Sequence, residues 1–336
     1  MAKTQVGKFT LSMPEIGGMP QAIVAMEDDT RLPVALMLHG GPGEALTPSI
    51  NELAYLEDRF VICLWDQRGA GKSYSADIPP KTTTVDKLVS DTVEVTRWLL
   101  QKYHRKKLVL FGYSWGSLLG ILAAQKAPEL YAAYIGVGQI ANQMQSEQLA
   151  YALVLQRAES QGDAKAIKNL RKIGCPPYPE QEAMKRLMHG RKVFRKYNQS
   201  PGKQVSLASF FLKVFTCPFY TLRDKRNYFK AMMGGGKLFL EVMGIDLLHR
   251  APRLEVPVYV MQGKYDLQTM PQIAEAYVDA LEAPDKAFVL FEQSGHMPSD
   301  DEPEALKRKL ESIVALKEPW LIPIRQSEQN SWNTPI

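Results

Sequence analysis

A serine flanked by glycines stands at Gly112-Tyr113-Ser114-Trp115-Gly116, directly after the strand-like run Lys107 to Phe111 and before the helical stretch Ser117 to Lys126. A nucleophilic serine needs this pattern at a strand-to-helix junction. The turn is so sharp that side chains two positions to either side would strike the neighbouring strand and helix. The helix behind it would also aim backbone N–H groups and the positive end of its dipole at a developing oxyanion. A serine hydroxyl stays a weak nucleophile until a base removes its proton. Among five histidines, His296 in Ser294-Gly295-His296-Met297-Pro298 follows a strand-like run, where a loop at the carboxyl edge of a sheet would carry it to Ser114. His104, His189 and His249 lie among helical, basic or linker residues.

Asp266 ends the run that begins at Val258, ahead of His296 by enough chain for one helix and one strand. An aspartate just past a strand end, accepting from imidazole Nδ1, would hold the tautomer whose Nε2 takes the serine proton. The order serine, acid, histidine fits a strand–helix scaffold. Asp266 could instead be a turn residue or helix cap; Asp300 and Asp301 are weaker rivals because they follow the histidine. Ser114, Asp266 and His296 are thus the expected catalytic set.

A second glycine-rich turn, His39-Gly40-Gly41-Pro42-Gly43, follows the apolar run Pro33 to Leu38. There a backbone N–H can approach a substrate carbonyl, so the N–H groups of Gly41 and Trp115 are the expected oxyanion hole. The turn lacks the spacing of a phosphate loop, and Gly71-Lys72-Ser73 would need glycine where Asp66 stands. Gly136-Val137-Gly138-Gln139-Ile140-Ala141 matches a dinucleotide fingerprint, with Glu159 downstream, but a lone match of this kind reads as a turn. No cofactor and no metal are expected. Cys63, Cys175 and Cys217 form neither a disulfide framework nor a zinc spacing and read as buried or inert thiols.

Strands must position these turns. Apolar runs recur at Pro33 to Leu38, Phe60 to Trp65, Leu108 to Phe111, Tyr134 to Val137, Pro257 to Met261 and Ala287 to Phe291. Helical periodicity lies between them, clearest in Val85, Leu88, Val89, Val93, Leu99, Leu100 and Tyr103. This alternation predicts an α/β class with a mostly parallel central sheet, helices on both faces and an inserted helical cap. Residues 139–248 carry 18 basic against 8 acidic side chains, whereas the flanks hold the other 23 basic and 28 acidic ones. They also show helical patterns, such as Ser146 to Ala158 and Asp163 to Ile173, with no strand pair. The expected division is a discontinuous core, 1–138 and 249–336, interrupted by a cap, 139–248. Its positive balance suits solvated helix faces or an anionic substrate.

These motifs together resemble the proline iminopeptidase (prolyl aminopeptidase) family of the α/β-hydrolase superfamily. The resemblance rests on His39-Gly40-Gly41-Pro42-Gly43, Asp66-Gln67-Arg68-Gly69-Ala70-Gly71-Lys72-Ser73, Ser114-Trp115-Gly116-Ser117, Gly263-Lys264-Tyr265-Asp266 and Ser294-Gly295-His296. It implies acyl-enzyme chemistry without a cofactor, Ser114, Asp266 and His296 as the triad, and Gly41 and Trp115 as oxyanion donors. Two departures stand out: Tyr113 replaces a family glycine, and the cap contains no tryptophan where the family surrounds the substrate amino group with tryptophan and glutamate. Two other readings stay open. One is a carboxylesterase or acyltransferase using the same triad, the other a non-catalytic small-molecule binding protein. The expected partner is a small or short-peptide substrate, with no nucleic acid. No run is apolar enough to span a membrane and the N-terminus lacks a secretory pattern, so the expected location is cytoplasmic. The last stretch, Pro319 to Ile336, is expected to pack over the surface or fray.

Overall fold

A strand covered on both faces reads as an unbroken apolar run, and five such runs are buried at every position in the computed structural model, which describes residues 4–27, 32–79, 82–201 and 207–315. The strands are β1 (Thr4–Val6), β2 (Phe9–Ser12), β3 (Glu15–Ile16), β4 (Met19–Pro20), β5 (Ile23–Met26), β6 (Val34–Leu38), β7 (Val61–Trp65), β8 (Leu108–Tyr113), β9 (Tyr131–Val137), β10 (Val258–Gly263) and β11 (Lys286–Phe291). Nine of them form one sheet in the order β1-β2-β5-β7-β6-β8-β9-β10-β11. From β7 to β11 the neighbours run parallel, and β1, β2 and β5 add an antiparallel edge. Those edge strands are too short and mixed to have stood out in the sequence. β3 and β4 form a separate hairpin.

The chain reverses its direction of travel across the sheet at β6, which lies between β7 and β8. Loops at such a switch point open a crevice at the carboxyl ends of the strands. Register places the end of β6 beside the end of β8, Leu38 opposite Gly112. The two glycine-rich turns therefore emerge side by side.

Two helices back this centre. α1 (Val85–Tyr103) starts where the Thr84 hydroxyl accepts from Lys87 N and buries the stripe that includes Leu88, Leu99 and Tyr103. α2 (Trp115–Lys126) is buried from Trp115 to Ala124, with no polar stripe, because it is enclosed between the sheet and α1.

Among the described residues seven helices connect β9 to β10: α3 (Gln143–Ser160), α4 (Ala164–Ile173), α5 (Glu180–Lys196), α6 (Leu207–Thr216), α7 (Leu222–Gly234), α8 (Gly236–Met243) and α9 (Leu247–Arg250). Part of this helical stretch packs on its own account. Ala150, Val154, Leu170 and Phe194 form one apolar cluster, and Leu187, Phe239 and Met243 another, both apart from the main core. After β10 come α10 (Pro271–Ala280), α11 (Pro298–Asp301) and α12 (Pro303–Ala315).

One expectation needs correcting: Cys63 and Cys217 are buried, but Cys175 is exposed beside the Cys175-Pro176-Pro177 turn that precedes α5. The segment Pro319 to Ile336 lies outside the described residues. Among the described residues no helix is long and apolar enough to cross a membrane, and no His/Cys/Asp/Glu group could hold a metal ion.

Candidate active site

Ser114 has a left-handed φ of 51° and a ψ of −115°, a strained conformation for a residue with a side chain. The glycines around it are required by contact. A Cβ on Gly112 would lie 2.5 Å from Gly116 O, and one on Gly116 would lie 2.3 Å from Leu38 O. The elbow is thus wedged between α2 and the end of β6. Trp115 begins α2, so its N–H belongs to the first turn, where helical N–H groups have no carbonyl of their own helix.

The turn after β6 is fixed by a histidine that does not titrate near neutrality. His39 Nδ1 lies 2.8 Å from Gly40 O, and Gln67 N donates to His39 Nε2 at 3.1 Å. Complete burial lowers the His39 pKa to about 4, keeping the ring neutral, as that pattern of one donor and one acceptor demands. Gln67 completes the brace: its Nε2 donates to His39 O at 3.2 Å, while its Oε1 accepts from Trp115 Nε1 at 2.8 Å. One side chain ties both expected oxyanion residues' turns together. In the sequence Gln67 stands within the Asp66–Ser73 motif, where nothing local marks this role. Gly41, with a φ of 112°, stands where a Cβ would fall 2.8 Å from the N atoms of Gly43 and Glu44.

The neighbouring Asp66 and Arg68 are structural. Asp66 accepts from Thr47 Oγ1 at 2.7 Å, Lys72 N at 2.9 Å and Tyr220 OH at 2.6 Å. Arg68 donates to buried Asp91 at 2.7 Å.

The acid and base arrive on the loops after β10 and β11. His296 Nδ1 meets Asp266 Oδ2 at 2.8 Å. The other carboxylate oxygen of Asp266 accepts from Gln268 N at 2.7 Å and Thr269 N at 3.0 Å, and Thr269 Oγ1 donates to Oδ2 at 2.6 Å. Burial alone would raise the Asp266 carboxyl. The His296 ring and these donors outweigh it and hold the group below its ordinary value. His104 caps the end of α1, His189 lies exposed on α5 and His249 pairs with Asp246, so none of them approaches this loop. Of the rival acids, Asp301 accepts from Gly295 N at 2.8 Å and thereby shapes the histidine loop. The Gly136–Ala141 turn serves packing, since a Cβ on Gly138 would sit 3.0 Å from His296 Cε1.

Ser114 and His296 face one cavity of about 380 Å³, also lined by Gly40, Gly41 and Thr269. Among the described residues no hydrogen bond joins the Ser114 hydroxyl to the imidazole; such contacts often tighten only in the substrate complex. Four side chains that sequence reasoning passed over share the wall: Glu44, Gln143, Arg191 and Lys213. Tyr113 lines it too, with its hydroxyl buried and without a hydrogen-bond partner among the described residues. Glu44 immediately follows the glycine turn, which is the only signal that could have pointed to it.

A parallel sheet with an elbow serine, backed by an Asp–His pair at the carboxyl edge, defines the α/β-hydrolase class. Comparison with known proteins agrees. The family described as alpha/beta hydrolase fold matches residues 33–170. The protein named "Probable aminopeptidase YbaC" of Bacillus subtilis (strain 168) is 32% identical over 300 residues, covering 88% of this chain and 93% of that one. A proline iminopeptidase of Xylella fastidiosa (strain 9a5c) is 33% identical over 133 residues, 34% of this chain and 38% of the relative. Among solved structures, the Mycobacterium smegmatis proline iminopeptidase superposes with a TM-score of 0.62 at 18% identity, covering 91% of this chain and 98% of that chain. The chain belongs to the α/β hydrolases, in one family with the Bacillus subtilis relative, and it is a hydrolase.

Proposed function

We propose that this hydrolase is a serine aminopeptidase that removes an N-terminal residue from small peptide substrates. Ser114 attacks the scissile carbonyl, and the N–H groups of Gly41 and Trp115 hold the oxyanion. His296 accepts the serine proton and delivers it to the leaving nitrogen as the C–N bond breaks. Water, deprotonated by the same imidazole, then releases the acyl group. Asp266 keeps the ring in the required tautomer. Residues 139–248 act as the cap that closes the cavity, and the protein works in the cytoplasm.

Glu44 carries the amine specificity in this reading. Its carboxylate makes no hydrogen bond or ion pair among the described residues, and it lies on the cavity wall. A Cβ placed on Gly40 would be 3.4 Å from Ser114 Cβ and 3.5 Å from Glu44 Oε2, so nucleophile and carboxylate flank a single backbone position. A half-buried carboxylate without a partner on a cavity wall favours a cation, and an α-ammonium beside the acyl carbon supplies one. The relatives' aminopeptidase and proline iminopeptidase names support the same substrate class.

Aminoacyl p-nitroanilides, their N-acetylated counterparts and short p-nitrophenyl esters distinguish the readings. The free-amine anilides are expected to be cleaved and the acetylated ones refused, with Glu44→Gln raising KM for the former by about tenfold or more. Cleavage of esters alone would instead mean a carboxylesterase or acyltransferase.

A further inference from the structure

The opposite chemistry appears elsewhere on the cavity wall. Of the two basic side chains that line it among the described residues, Lys213 on α6 is committed to an ion pair with Glu52. Arg191 on α5 is only half committed. Its Nε donates to Glu147 Oε1 at 2.8 Å, and its Nη2 donates to the same oxygen. Nη1 has no partner among the described residues. A guanidinium carries five N–H donors in a rigid fork, so one edge remains for a second acceptor.

That edge is held in place rather than loose. Glu147 is buried on α3, and Gln143 Nε2 donates to its Oε1 at 3.0 Å. The Phe239 ring lies against the guanidinium, with Cζ 4.6 Å from the ring centroid, which fixes the plane. Glu147 alone would account for an arginine here, but it does not account for a free edge at a substrate cavity. Gln143 Nε2 also reaches Gln268 O at 2.8 Å, and Gln268 N donates to Asp266. The Arg191 assembly is thereby tied to the loop that positions the acid of the triad.

This connection decides which part of a substrate Arg191 meets. His296 must hand its proton to the leaving nitrogen, so the leaving group lies on the side of the imidazole and of the Asp266–Thr269 loop. Glu44 faces the acyl carbon from the glycine turn. We infer that Arg191 binds the free carboxylate of the leaving group, so that the enzyme prefers very short peptides, dipeptides and tripeptides, with both termini free. The arginine fork pairs with a carboxylate in a way that a C-terminal amide cannot reproduce. The inference rests on the aminopeptidase reading and narrows it to exopeptidase action on peptides of two or three residues.

The test compares Ala-Ala with Ala-Ala-amide on the wild type, on Arg191→Gln and on the double variant Glu147→Gln/Arg191→Gln, which leaves no buried unpaired carboxylate. In the wild type the free acid is expected to exceed the amide by about tenfold or more in kcat/KM, expressed in KM. In both variants that ratio should fall to near one, and Arg191→Lys should restore part of it. The ratio is taken within one preparation, so loss of folded protein cancels. Equal wild-type rates on acid and amide, or a preference that survives Arg191→Gln, would overturn the role of Arg191. If neither peptide nor any aminoacyl p-nitroanilide is cleaved, the aminopeptidase reading fails and this inference with it.

Discussion

Gly263 meets Gly295 so closely that the end of β10 could not carry a side chain there: a Cβ on Gly263 would lie 1.7 Å from Gly295 O and 2.7 Å from Ser294 O. Gly263 ends β10 three residues before Asp266, and Gly295 immediately precedes His296. The acid–base hydrogen bond therefore depends on two backbones touching. Gly263→Ala forces the loops apart and is expected to lower kcat by about a hundredfold, since a displacement near 1 Å is enough for that loss. The melting temperature and the rate, measured on one sample, check it; an unchanged rate would mean the loops absorb the methyl group.

Asp266→Asn preserves size while removing the acceptor that selects the tautomer. An Asn amide facing Nδ1 would favour the ring with its proton on Nε2, which cannot accept from serine. The expected result is a fall in kcat of about four orders of magnitude with a folded protein, read by steady-state kinetics beside circular dichroism.

Gln67 is expected to matter although it touches no substrate. Gln67→Leu removes the hydrogen bonds to Trp115 Nε1 and His39 O. It leaves the indole N–H and the carbonyl buried and unpaired, at about 1 to 3 kcal/mol for each. With the two oxyanion turns no longer tied, kcat should fall more than KM rises, by about tenfold to a hundredfold. Loss of stability with unchanged kcat would make the brace purely structural.

Loss of solvation gives buried His39 and half-buried Glu44 pH dependences of opposite sign. His39 is held neutral, its pKa depressed from 6.5 to about 4. Its contribution to stability is therefore present above pH 6.5 and is lost as pH falls towards 4, a loss of about 3 kcal/mol over that window. Chemical denaturation at several pH values should show the slope, and His39→Asn should flatten it. Glu44 is shifted the other way: burial raises its pKa, with the His296 ring partly offsetting. Its ionised form is the one that holds an ammonium, so KM for amine substrates should rise with falling pH earlier than an ordinary glutamate, near 4.3, would allow. A raised folded-state pKa also means that Glu44 stabilises the fold less above its unfolded pKa than below it. Glu44→Gln should thus gain stability at neutral pH while losing amine recognition.

The candidate site was legible in the sequence because its parts obey local rules. The elbow and the glycine turn each need particular backbone geometry from adjacent residues, and Asp266 and His296 each follow an apolar strand run. The edge strands Thr4–Val6 and Phe9–Ser12 left no such trace, being short and only partly apolar. Gln67, Glu44 and Arg191 escaped for a different reason. Gln67 meets Trp115 across 48 residues and Arg191 meets Glu147 across 44, partnerships that no local pattern encodes. The cavity wall is set by where α3, α5, α6, α7 and α8 place Gln143, Arg191, Lys213, Tyr228 and Phe239, and helical periodicity records which face is buried, not which charged side chain reaches a cavity.

Intact-protein mass spectrometry after exposure to a fluorophosphonate reads the nucleophile directly. One adduct is expected on the wild type, mapping to the peptide that contains Ser114, together with complete loss of hydrolysis. Ser114→Ala should take up none and hydrolyse nothing. An adduct on another residue, or a Ser114→Ala protein that still cleaves substrate at the wild-type rate, would contradict the assignment of Ser114.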